Sequence, residues 1–116
     1  MFIGEVSKKT GASPKAIRLY ESLGLLVQIK REGTYRVYDQ GDVEFIKLIR
    51  EAQTLGVSLS DLKKLLVGRN ELDWSTVIVF LAEKQKKIDI EIASLEIKKE
   101  KIATYNQQIK ECLDSD

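Results

Sequence analysis

The feature that most constrains this chain is a heptad repeat in its last third. One series, spaced alternately by four and three residues, runs Trp74, Ile78, Leu81, Gln85, Ile88, Ile92, Leu95, Lys99, Ile102, Asn106, Ile109 and Leu113. Nine of these twelve positions are apolar, and the 3.5-residue average is the period of a coiled-coil seam. The three polar exceptions, Gln85, Lys99 and Asn106, all occupy the same half of the repeat. A helix over this stretch reaches roughly 55–60 Å at 1.5 Å per residue. The residues before it can cover its first two or three turns but not the remainder. The spacing therefore predicts a homodimer, with each helix supplying the other's missing apolar face.

The 116 residues allow one core-bearing domain and one extended element. We divide them into a head over residues 1–70 and a dimerisation helix with a short tail over 71–116. Proline occurs only at Pro14, which leaves long helices uninterrupted. Ile3 to Thr10 reads as a short helix stopped by Gly11. Ser13-Pro14 then restarts the chain, Ser13 as N-cap and Pro14 at the first helical position, for a second helix ending near Leu23. Two short helices joined by a tight turn make a helix-turn-helix. From Val27 to Tyr38 the strand formers Val27, Ile29, Tyr35 and Val37 flank a Glu32-Gly33 turn and predict a small hairpin, or wing. Asp39 caps a third helix running to Leu55. Ser58 caps a fourth, with a capping-box spacing to Asp61. Gly68 to Leu72 reads as a polar break.

Charge is unevenly divided. Residues 1–38 carry seven basic side chains against three acidic ones, a net +4, whereas residues 70–116 carry seven against ten, a net −3. A basic head on an acidic tail is the asymmetry of a chain whose one end meets a polyanion. On the second helix Lys15, Arg18 and Ser22 share a face, with Leu19 beside Lys15, placed to touch a thymine methyl or a sugar. Ala16, Tyr20 and Leu23 lie on another face. Each charge alone would suit a solvated surface. The wing adds Lys30 and Arg31 before its turn and Tyr35, Arg36 and Tyr38 after it, so two basic elements of one head form a phosphate clamp.

Other classes fit poorly. No run of about 18 apolar residues exists, and no basic segment precedes an apolar core at the start. The lone Cys112 suits a reducing cytoplasm. Without histidine, a phosphate-binding glycine loop or a ligand cluster, neither an enzyme nor a cofactor is expected. A soft metal needs two or more thiolate or imidazole ligands, so no metal site is expected. A redox role for Cys112 is disfavoured by the nearby Glu111 and Asp114, which oppose thiolate formation.

Several segments resemble regulators of the mercury-resistance-regulator (MerR) family. They are Ile3-Gly4-Glu5-Val6, Thr10 to Glu21, Gly24-Leu25-Leu26, Tyr35-Arg36-Val37-Tyr38, Asp42-Val43 and Ile49 to Leu59. With the long helix, the resemblance spans the chain. It implies a mainly α fold: a winged helix-turn-helix head with a small β-hairpin wing, then a long dimerising antiparallel coiled-coil helix. It further implies a homodimer that binds double-stranded promoter DNA alongside RNA polymerase and distorts that DNA in response to an effector. By the same resemblance Arg18, Tyr20, Arg36 and Tyr38 match positions gripping the DNA backbone, Lys15 stands nearest the bases, and Tyr35 lies near DNA. The chain departs from the family at Leu19, often aromatic there, and at Val27, commonly proline. Its wing is also slightly short.

No separate ligand domain is expected after the coil, so a small-molecule effector would have to bind within the dimer. The family architecture draws Trp74, Phe80, Tyr105 and Ile109 together as candidates for an apolar pocket. The alternative is that Trp74 and Ile109 fill the seam, as their heptad positions favour. Two other functions stay open: an architectural or chromosome-anchoring DNA-binding protein without an effector, and a coiled-coil adaptor.

Overall fold

The computed structural model describes residues 1–115. Its elements run α1 (Ile3–Thr10), α2 (Pro14–Ser22), β1 (Lys30–Glu32), β2 (Tyr35–Val37), α3 (Gln40–Thr54), α4 (Leu59–Leu65), β3 (Leu66–Gly68), β4 (Glu71–Leu72) and α5 (Trp74–Asp114). The chain forms two units, Met1–Val77 and Ile78–Asp116. The fold is mainly α, with a helix-turn-helix, a small antiparallel wing and a long last helix.

The caps explain most boundaries. Gly11 closes α1 at φ +73°, donating its N–H to Ser7, a conformation open to glycine without the Cβ penalty. The Arg50 guanidinium lies where a Cβ would stand and donates to the Thr10 carbonyl at 2.9 Å. Ser13 Oγ accepts from the Ala16 N–H at 3.1 Å to start α2. Asp39 with Asp42, and Ser58 with Asp61, form full capping boxes on α3 and α4. Around these starts the core is built from Val6, Ile17, Leu25, Leu26, Val43, Ile46, Ile49 and Leu62, all nearly inaccessible.

Three expectations need correction. Leu23, expected on one face with Ala16 and Tyr20, is 45% exposed while Tyr20 is buried, because α2 ends at Ser22 and Leu23 serves as its cap before the turn at Gly24. The wing strands are only three residues each, excluding Val27 and Ile29. Their turn is Gly33-Thr34, with Lys30, Arg31 and Glu32 opposite Val37, Arg36 and Tyr35. The expected polar break at 68–72 belongs to a second hairpin, β3–β4.

That hairpin is held by a tertiary clasp. Asn70 sits at its turn with φ +54° and donates to Asp42 Oδ1 at 2.9 Å. Arg69 reaches both Asp39 at 2.8 Å and Asp42 at 3.2 Å. Asp42 is wholly buried. Its cost of desolvation is met by the guanidinium, the amide and the Asp39 N–H.

From Ile78 onward α5 carries its seam in the open: Ile78 is 70% exposed, Ile102 69% and Leu113 71% within this single chain. No helix among the described residues is long and apolar enough to cross a membrane.

Candidate nucleic-acid interface

Burial decides which face of α2 is free. Ile17 and Tyr20 point into the core at 0% and 3% exposure. The helical period then leaves Lys15, Arg18, Leu19 and Ser22 outside. Leu19 is 46% exposed. Lys15 and Arg18 have no ion-pair partner among the described residues, so their charge is open to a polyanion.

The wing stands beside that face. Its position is fixed by backbone pairing of Tyr38 with Met1, the Tyr38 N–H donating to the Met1 carbonyl at 2.7 Å. This brings Phe2 against Tyr35, with ring centroids 5.9 Å apart. A cleft of about 110 Å³ results, lined by Phe2, Ile3, Arg18, Thr34, Tyr35 and Arg36. Three of the expected residues, Arg18, Tyr35 and Arg36, therefore share one cleft contributed by two elements. Tyr35 is 70% exposed. Arg36 is tied through its Nε to the Glu21 carboxylate on α2.

Tyr20 and Tyr38 lie beneath this surface. The Tyr20 hydroxyl donates to Gln53 Oε1 at 3.0 Å. Burial raises its pKa, with the Arg50 charge opposing. Tyr38 is 1% exposed, and its hydroxyl is sealed without a hydrogen-bond partner among the described residues. Burial raises its pKa first and Glu21 second, against Arg36 and Arg18. Both phenols stay protonated at neutral pH, so each can only donate or accept as a neutral hydroxyl.

Sequence reasoning passed over Phe2 and Glu21. The signal for Glu21 was an acid on an otherwise basic helix face, three residues after Arg18. For Phe2 it was an aromatic side chain just ahead of the first helix.

Residues 1–68 match the MerR HTH family of regulatory proteins. The chain belongs to this family. The mercuric resistance operon regulatory protein of Bacillus cereus is 34% identical to it over 121 residues, covering 95% of this chain and 90% of that protein. The heavy metal-dependent transcription regulator 2 of Rhizobium meliloti is 38% identical over 95 residues, covering 76% of this MerR-family chain. The match spans 65% of that relative, slightly under two thirds of its length. Among solved structures, the transcription regulator PbrR691 from Ralstonia metallidurans CH34 in complex with lead(II) aligns with a TM-score of 0.71 at 28% identity, over 88% of this chain and 82% of that one.

The metals in those names raise the question of fit. This chain has one cysteine and no histidine, and Cys112 is exposed. Among the described residues no three His, Cys, Asp or Glu side chains cluster. The donor set does not fit a soft-metal site, since a single thiol cannot close one.

The four residues considered for an effector pocket are divided between the two units of the chain. Trp74 belongs to the first unit, and Phe80, Tyr105 and Ile109 to the second. Trp74 is 56% exposed and Tyr105 66%.

Proposed function

We propose that this chain is a sequence-specific DNA-binding transcription regulator acting in the cytoplasm as a homodimer. The observation that carries it is the shared outer surface of α2 and the wing, where Lys15, Arg18, Leu19, Tyr35 and Arg36 present cations and apolar edges together. Lys15 and Leu19 sit on the helix face suited to a major groove. Arg18, Arg36 and Tyr35 suit the flanking backbone. Tyr20 and Tyr38 act from below by packing the helix and wing in register. A hydroxyl-to-phosphate bond from Tyr38 would need the arginines above it to part.

The exposed seam of α5 supports pairing of two chains, because a lone helix would leave those isoleucines in water. In an antiparallel pair the two heads would meet a symmetric operator. Contacts at both ends would then offset the energy of bending and untwisting the promoter toward a form RNA polymerase can use. An effector, if one acts, would be a small apolar molecule held by Trp74, Phe80, Tyr105 and Ile109 within the dimer. The unfitness of the lone Cys112 for metal favours one second reading, an architectural or chromosome-anchoring protein with the same head and no effector.

The test is fluorescence anisotropy with a labelled duplex from the region flanking the chain's own gene, in rising salt. With several phosphates neutralised, the affinity should fall by about tenfold or more between 50 and 200 mM salt. An affinity that is absent or indifferent to salt would contradict the proposal.

A further inference from the structure

The wing holds an arrangement that should repel itself. Arg31 and Arg36 are direct cross-strand partners, so their side chains rise from the same face of the hairpin, and like charges in that position oppose pairing. The Glu21 side chain, 23% exposed, meets both. Its Oε2 accepts from Arg36 Nε, and its Oε1 lies 4.0 Å from Arg31 Nη2.

The two arginines are engaged differently. Arg36 is held at Nε alone, and its terminal nitrogens have no hydrogen-bond partner among the described residues while the residue lines the cleft with Arg18. Arg31 is met at both terminal nitrogens, by Glu21 and, at 3.5 Å, by the Thr34 carbonyl. By exposure alone Arg31 would seem the better phosphate ligand, since its side chain is 50% exposed against 32% for Arg36.

We propose that Glu21 is a positioning residue that sorts this pair: it aims the terminal nitrogens of Arg36, with Arg18, at one DNA phosphate, and ties Arg31 back as an internal counter-charge. The proposal rests on the reading that this face meets DNA. Glu21 itself touches no phosphate. It acts by neutralising the cross-strand repulsion and fixing one guanidinium from behind, leaving the bidentate end free.

The experiment measures the slope of log affinity against log salt for a random-sequence 30-base-pair duplex, each phosphate contact contributing about 0.9. Arg36→Ala should flatten the slope by about 0.9, whereas Arg31→Ala should leave it unchanged. Glu21→Gln keeps an oxygen for Arg36 Nε but releases Arg31, so the slope should steepen by about 0.9. That gain should vanish in Glu21→Gln/Arg31→Ala, and Glu21→Asp should restore the parent slope.

Steepening that persists without Arg31 would mean only that an acid near DNA was removed, and would overturn the proposal. So would an Arg31→Ala slope as flat as that of Arg36→Ala. Should Glu21→Gln unfold the wing, the two single arginine variants alone decide it. A parent protein whose binding lacks any salt slope would instead defeat the DNA-binding reading beneath it.

Discussion

At the scale of single residues, the buried polar groups make the sharpest demands. Asp42 is fully buried, and Arg69, Asn70 and the α3 cap all converge on it. Asp42→Ala leaves the Asn70 amide without its acceptor and Arg69 with Asp39 alone, and should lower stability by about 2 kcal/mol in chemical denaturation. Tyr38 presents the opposite case, a sealed hydroxyl with nothing to bond. Tyr38→Phe removes an unsatisfied group, so the thermal midpoint should hold or rise, by about 1 kcal/mol of stability. A clear fall would reveal a partner for that hydroxyl. Asp39 adds a pH dependence. The Arg69 hydrogen bond, then the Asp42 backbone N–H, hold its carboxyl below the usual range. A depressed folded-state pKa contributes stability above the unfolded value, lost as pH falls through the folded one. Arg69→Ala should therefore cost stability at neutral pH, and its difference from the parent should narrow below about pH 4.

At the scale of elements, local chemistry and tertiary contact divide what could be foreseen. Ser13, Asp39 and Ser58 announce their helices because a cap acts within three residues. The heptad of α5 was equally plain, since periodicity needs no partner to be visible. The β3–β4 hairpin was hidden for a physical reason. Its strands are too short to alternate, and its turn depends on Asn70 bonding to Asp42, 28 residues away. Glu21 was hidden likewise, since only the pairing of Arg31 with Arg36 brings both guanidiniums to it. The faces of α2 were legible except at Leu23, where the helix stops one residue too soon. For α5 the expected outcome is direct: Ile92→Asp at a central seam position should convert a dimer to monomers in sedimentation, while the head, a unit of its own, keeps its melting transition. A dimer that survives this change would remove the seam from the account.

At the scale of the whole molecule, the separation of charge and apolar surface assigns the work. The first 38 residues carry the net positive charge and the unpaired cations of α2, while the chain from residue 70 is acidic and leaves its apolar stripe exposed. Two such heads on one dimer imply two half-sites related by symmetry, spaced by about one helical turn or a multiple of it. We propose that the dimer reads a symmetric site and deforms the DNA between its halves. The direct test is a nuclease footprint of the purified protein on the DNA flanking its gene, with Arg36→Ala alongside. The expected result is one protected symmetric site, a distorted centre of altered cleavage, and weaker protection by the variant. Protection that is absent, or spread along the DNA without preference and without a distorted centre, would contradict it.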